Sequence, residues 1–258
     1  MRNLDGTLRR VIGALPGSIT AALIGAAGGP VTAVLGALTG TVLGEVGADV
    51  ISRVLSPRQE RRVGTVLLAA SAAFTEQEQL HGRTVRNDGF FEDDTAPGAE
   101  FVEGVLLSAK DSFEERKAQY LGNLIASVAF DTGVDAGTAN YALRLAEGLS
   151  WTEFLVLGVF ADPERYPMPE NQIPDGTAWA SWTQLMALKR LLDPPASMLT
   201  YAEKTLDYGL PSYDLNLSVV SLTTSGFLLT SLMKLDTIPD TERRPVYDTI
   251  IAPVGSAE

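Results

Sequence analysis

The sequence predicts a mainly α protein with an N-terminal glycine-rich helical hairpin, a helical bundle and a C-terminal winged-helix-like module. Three observations predict it. From Val11 to Gly44 the chain carries no charged side chain and is built on glycine, alanine and threonine. Ser56-Pro57-Arg58-Gln59 and Ser150-Trp151-Thr152-Glu153 are helix-start signatures, with serine as N-cap and Gln or Glu closing a capping box. Between and beyond them apolar residues recur at spacings of three and four, which is helical periodicity. The predicted organisation is a hairpin over 1–55, a bundle over 56–149, a winged-helix-like domain over 150–238 and a C-terminal tail over 239–258.

Composition narrows the function classes. Hydrophobic residues make up 45% and charged residues 20%, which describes a foldable chain. A formal net charge of −12 repels a nucleic-acid backbone at long range, so duplex DNA is not an expected partner. Cysteine is absent, which removes disulfides, thiolate zinc sites and a cysteine nucleophile. One histidine, and no P-loop, G-x-G-x-x-G, H-E-x-x-H or G-x-S-x-G motif, argue against an enzyme and leave no cofactor or metal site to assign.

The N-terminal stretch divides at Gly28-Gly29-Pro30, where a helix stops and proline suits the first turn of the next. In the second arm Thr32, Gly36, Gly40, Gly44 and Ala48 recur every fourth residue, placing small side chains on one helix face. Such a stripe lets backbones approach closely, which is how helices associate in lipid. Val31 to Gly44 spans roughly 21 Å at 1.5 Å per residue, short of the about 30 Å of a bilayer core. Each arm is thus a marginal spanner that depends on neighbours. Arg2, Arg9 and Arg10 precede the stretch while Arg53, Arg58, Arg61 and Arg62 follow it, so both ends belong on the same membrane side. Glu45 sits just past the apolar part, either in a solvated ladder with Asp49 and Arg53 or as a carboxylate ring at a pore mouth. A signal peptide and a soluble Ala/Gly hairpin buried against a partner are the competing readings.

After the Ser56 cap, Val63, Val66, Leu67, Ala70 and Phe74 form an apolar helix face. The polar run Thr75 to Arg86, which holds His81, ends it, with His81 expected at the surface. Asn87 to Asp94 reads as an acidic turn that lacks the ligand alternation of an EF-hand. The next helix is expected from Ala99 to Phe130, with a bend near Asp111 or Gly122. Phe101, Val105, Leu106, Ala109 and Phe113 form one part of its core face, and Tyr120, Leu121, Leu124, Ile125 and Val128 the other. Between them lie Glu114, Glu115, Arg116 and Lys117; Arg116 and Lys117 are paired cations suited to an anionic ligand. A helix from Ala136 to Leu149 completes the bundle.

Beyond the Ser150 cap, a short helix through Phe160, helices over Trp179–Leu192 and Met198–Tyr208, an alternating strand from Tyr213 to Val219 and a last helix over Ser225–Leu235 give a winged-helix order. The resemblance to winged-helix domains rests on Asp207-Tyr208-Gly209-Leu210 and Leu222-Thr223-Thr224-Ser225-Gly226. Met198–Tyr208 contains no arginine, so a protein contact is expected of the module before DNA reading.

The run from Glu114 through Arg116-Lys117-Ala118-Gln119-Tyr120-Leu121-Gly122-Asn123 to Asp131 is similar to a recurring segment of bacterial proteins with the same layout. That layout resembles membrane effectors of antiphage defence, closest to the channel component of Hailong systems. What the resemblance implies is a tetrameric channel in the bacterial inner membrane with a cytoplasmic body. It would be held closed by a DNA oligomer from a partner nucleotidyltransferase and would depolarise the infected cell on opening. The alternative expectation is a soluble helical scaffold, or a winged-helix regulator, whose hairpin packs on a partner protein.

Overall fold

A computed structural model describes residues 56–92, 96–169, 172–173, 191–193, 201–205, 211–213, 215–216, 218 and 220–251. The expected N-terminal hairpin lies outside the described residues, as does most of the expected helix Trp179–Leu192. The described part is mainly helical, and the chain divides into two compact units, Met1–Gly148 and Leu149–Glu258.

The first unit is built on four helices: α1 (Pro57–Gln79), α2 (Pro97–Asp111), α3 (Ala118–Ala129) and α4 (Ala136–Gly148). α1 starts where the sequence requires. Ser56 Oγ accepts from Gln59 N–H, Gln59 Oε1 accepts from Ser56 N–H at 2.9 Å, and Pro57 occupies the first helical position. Its expected face is buried, with Val63, Val66, Leu67 and Ala70 inaccessible and Phe74 edge-on to Phe130.

α1 and α3 run parallel and in close contact. Gly122 lies opposite Val66, Ala69 and Ala70, and one turn and more further along Phe74 meets Phe130. A Cβ at Gly122 would fall 2.6 Å from both the Ala69 Cβ and the Val66 carbonyl oxygen, so only glycine permits this approach. Two parallel helices need a return between them, and α2 provides it. Its C-terminal end comes back to the start of α1, where Arg62 Nη1 donates to the Lys110 carbonyl at 3.0 Å.

That return turns the helix expected from Ala99 to Phe130, with its bend near Asp111 or Gly122, into two helices separated just after Asp111. A single helix cannot reverse, so the chain breaks at Ser112, whose ψ of 137° is extended. Ser112 N–H still donates to the Ser108 carbonyl, and Ser112 Oγ accepts from Glu114 N–H at 3.2 Å, a local turn that competes with the helix. A 3-10 turn over Glu115–Lys117 then leads into α3. Phe113, expected in the core, is 86% exposed because the break carries it off the helix face. The remaining core positions expected on either side, from Phe101 to Ala109 and from Tyr120 to Val128, are buried. His81 is exposed.

The second unit centres on α5 (Trp151–Phe160), opened by the Ser150–Glu153 capping box. Phe154 to Phe160 are all buried, so this helix is apolar around its circumference and belongs inside the unit. α6 (Thr224–Met233) ends at Lys234 in the left-handed region (φ 53°) and continues through a 3-10 turn, Leu235–Thr237, into α7 (Asp240–Ile251). α7 lies within the stretch expected as a tail; it packs on α5, burying Arg243, Tyr247 and Ile250.

Short strands fill the region between. β1 (Gln172–Ile173) pairs with β5 (Leu215–Asn216), β2 (Leu192–Asp193) with β6 (Ser221–Leu222), and β3 (Tyr201–Thr205) with β4 (Pro211–Tyr213), all antiparallel. β3 corrects the expected helix Met198–Tyr208. Its Tyr-Ala-Glu-Lys-Thr segment is short, ends in a β-branched residue and is followed by Gly209 and Pro211, which favour a hairpin over a helix. Of Met198–Tyr208, the described residues Tyr201–Thr205 are thus a strand.

Replacing Gly122 by valine is expected to force α1 and α3 apart and destabilise the chain by about 1–3 kcal/mol. Gly148→Ala, where an added Cβ meets nothing within 4 Å, should leave stability almost unchanged. Urea unfolding followed by circular dichroism compares the two; equal midpoints would contradict the packing role of Gly122.

Candidate functional site

Of the residues singled out in the sequence, Thr32, Gly36, Gly40, Gly44 and Glu45 lie outside the described residues. Arg116 and Lys117 are described, and they differ in exposure. In the 3-10 turn Glu115–Lys117, Arg116 is exposed whereas Lys117 is only 5% exposed. Adjacent residues on a tight turn diverge by about 120°, so one guanidinium faces solvent and the ammonium is folded into the bundle.

Two arginines that sequence reading did not single out organise the opposite end of the first unit. Arg86 follows α1 and reaches the C-terminal end of α3. Its Nη1 donates to the carbonyls of Asp131 at 3.0 Å and Val134 at 2.7 Å, and its backbone N–H donates to the Ala129 carbonyl. The last carbonyls of a helix carry partial negative charge and lack intrahelical partners; the guanidinium meets one of them, Val128, at 3.4 Å, and its other two carbonyls belong to the turn that follows α3. Asp88 pairs with the same guanidinium, and the Phe90 ring lies 4.1 Å from it. The Arg86 side chain is 4% exposed. Hydrogen bonding from Arg86 holds the Asp88 carboxyl down at about 2. Arg83 supports the same end by donating to the Phe130 carbonyl and to Gln77 Oε1. The acidic turn Asn87–Asp94 is thus, in its described part, a lock for this arginine.

In the second unit, a cluster of tyrosine, arginine and aspartate joins α5 to α7. Arg243 Nη1 donates to the Gly158 carbonyl at 2.8 Å and to Asp162 Oδ2 at 3.3 Å, with its guanidinium 4.8 Å from the Tyr166 ring. A Cβ at Gly158 would lie 2.7 Å from the Leu235 carbonyl oxygen, which explains why the helix is bare at this point. Tyr166 OH donates to Asp240 Oδ1, which also accepts from Arg165 Nε at 3.0 Å. Burial raises the Tyr166 phenol above its ordinary value, and the hydrogen bonds from Tyr166 and Arg165 lower the Asp240 carboxyl. Tyr247 OH donates to the Pro167 carbonyl at 2.6 Å. Arg243 Nη1, the Tyr166 and Tyr247 hydroxyls and Asp240 all face structural partners, so the cluster fastens α7, while the buried Arg243 Nε has no hydrogen-bond partner.

An open cleft of about 370 Å³ lies beside α6, lined by Phe227, Thr230, Ser231, Lys234, Asp236 and Thr237 among others. Phe227 is 66% exposed at its edge. The hydroxyls of Thr230 and Thr237 donate to the Phe227 and Lys234 carbonyls, so their hydrogens are committed within the turn. Among the described residues no three His, Asp or Glu side chains converge as a metal cage, and no helix is long and apolar enough to cross a membrane.

No protein-family model, curated protein or solved structure matches this chain.

The Arg86–Asp88 pair sets a pH dependence. The Asp88 carboxyl lies at about 2 when folded against an ordinary value of 3.8, so the pair stabilises fully above about pH 4 and its contribution is lost as pH falls through about 2. Urea midpoints of wild type and Asp88→Asn should therefore differ most at pH 5 and converge near the folded value. A gap that widens on acidification would contradict the pairing. Arg86→Ala, which removes the donor from the Val128, Asp131 and Val134 carbonyls, is expected to cost about 1–3 kcal/mol in the same assay.

Proposed function

We propose that this chain is an oligomeric membrane effector that opens a gated pore and depolarises the cell in antiphage defence. The observation that carries this reading is the uncharged stretch Val11–Gly44, with Thr32, Gly36, Gly40 and Gly44 at intervals of four and arginines on both flanks. Small residues at that spacing suit helix association in lipid, and matching basic flanks suit a hairpin whose ends stay in the cytoplasm. Short arms that span only as a group also suit a gate, because the inserted state depends on how subunits are held.

The helical body supports the reading by its attachment. α1 starts afresh at Ser56, so a cytoplasmic bundle follows the uncharged stretch with only residues 45–55 between them. The tetramer, the inner-membrane location and the DNA oligomer that keeps the pore shut belong to the same proposal, through the resemblance to Hailong-type channels. Of the two cations expected to suit an anionic ligand of that kind, Arg116 is an exposed residue and Lys117 a buried one.

Membrane potential measured during induced expression tests the proposal. Wild type should collapse the potential and pellet with membranes through carbonate washing, whereas Gly40→Leu should keep the potential intact by forcing neighbouring helices apart. A detergent-free, monodisperse wild-type protein with no effect on the potential would overturn it and favour a soluble scaffold whose hairpin packs on a partner.

A further inference from the structure

The end of the first unit where α1 begins is also where α2 finishes and where the Ser112–Lys117 reversal lies, as fixed by the Arg62–Lys110 hydrogen bond and the parallel α1–α3 contact. Residues 1–55 therefore join the bundle at its reversal end. That end carries a set of features found together nowhere else among the described residues. Arg58 and Arg61, three apart on one face of α1, are exposed; Arg116 is exposed on the reversal; and Phe113, 86% exposed, belongs to the same reversal. Lys110 pairs with Asp111 at 3.6 Å and Arg62 donates to the Lys110 carbonyl. Glu60 and Glu114 are half-buried and Asp111 and Glu115 are exposed, so the three exposed arginines outnumber the two exposed acids in a chain whose net charge is −12. The other strongly exposed hydrophobic residue of this unit, Leu80, lies at the far end of α1.

The geometry points to this end of the bundle as a docking surface for an anionic lipid bilayer, with Arg58, Arg61 and Arg116 on the headgroups and Phe113 in the interface. The inference rests on the membrane reading proposed above and deepens it, because it says which face of the cytoplasmic body meets the bilayer. The occupant follows from charge and from position. Exposed arginines with an adjacent aromatic match the headgroup region, where basic groups are attracted to anionic lipid and aromatic rings settle at the boundary. The surface is also continuous with the chain that leads to the uncharged stretch. A lone exposed phenylalanine is unremarkable on a protein surface; here it shares its end with the cations and with the entry point of residues 1–55.

The absence of cysteine makes a direct test available. Full-length Phe113→Cys and Leu80→Cys chains, each carrying one polarity-sensitive fluorophore, are reconstituted into vesicles of phosphatidylcholine alone or with phosphatidylglycerol, and quenching by lipid-borne quencher is measured. The label at 113 should be quenched in the anionic vesicles, with the label at 80 remaining in water. Arg58→Gln, Arg61→Gln and Arg116→Gln, each added to Phe113→Cys, should each weaken that docking by about fivefold, and raised salt should do the same. A label at 113 that stays aqueous while the chain floats with vesicles overturns this inference alone, as does equal quenching in both lipids. A chain that floats with neither vesicle overturns the membrane reading, and this inference with it.

Discussion

The contact between Gly122 and the Val66–Ala70 stretch governs the first unit. It brings α1 and α3 together in parallel at a distance that no larger residue permits. Parallel neighbours require the chain to travel back between them, so α2 must run the other way and a reversal must precede α3. The exposure of Phe113, the turn at Ser112 and the outward position of Arg116 all follow from that one approach. At the other end, the same geometry leaves the final carbonyls of α3 close to the chain that leaves α1. Arg86 fills that position, and its own charge is balanced by Asp88 and covered by Phe90.

The second unit solves a different problem. α5 is apolar on every side, and a helix of that kind needs cover all round. α7 supplies part of the cover although its own sequence is polar, because Arg243 and Tyr247 turn inward with hydrogen-bonding partners waiting for them. Buried arginine is costly unless its charge is paired and its donors are met; the Gly158 carbonyl and Asp162 meet Nη1, and Nε is left without a hydrogen-bond partner. Asp240 receives a phenol and a guanidinium at once, which ties the first turn of α7 to the loop after α5.

Helix starts were the most legible part of the fold. Ser56 and Ser150 announce themselves by local chemistry that needs no tertiary partner, and both capping boxes form. Apolar periodicity likewise located the buried faces of α1, α2 and α3. Periodicity failed where the pattern ran on through a reversal: Ala109, Phe113 and Lys117 keep helical spacing, and only the tertiary need for α3 to return broke the helix there. β3 was missed because Glu203 and Lys204 carry fair helical propensity and the decisive signals, Gly209 and Pro211, lie beyond the segment. α7 was hidden by its low hydrophobicity and Pro245; its stability comes from paired polar groups that a sequence window does not reveal. Of the candidate site, the differing burial of Arg116 and Lys117 was not legible, because adjacency in sequence says nothing about which residue a tight turn buries. The arginines that organise the bundle escaped notice because their partners are backbone carbonyls more than forty positions away.

The cap at Ser56 has a mechanical consequence. Its torsions, φ −72° and ψ 158°, are extended, and Pro57 bars a helical hydrogen bond across the junction. No continuous rod can therefore pass from the leading segment into α1, so a twist or tilt applied upstream is absorbed by rotation about a few single bonds and does not wring the bundle. Displacement can still be relayed as a pull along the chain. A tether of this kind transmits tension and discards torque, which lets the preceding residues change orientation while the four-helix body keeps its packing.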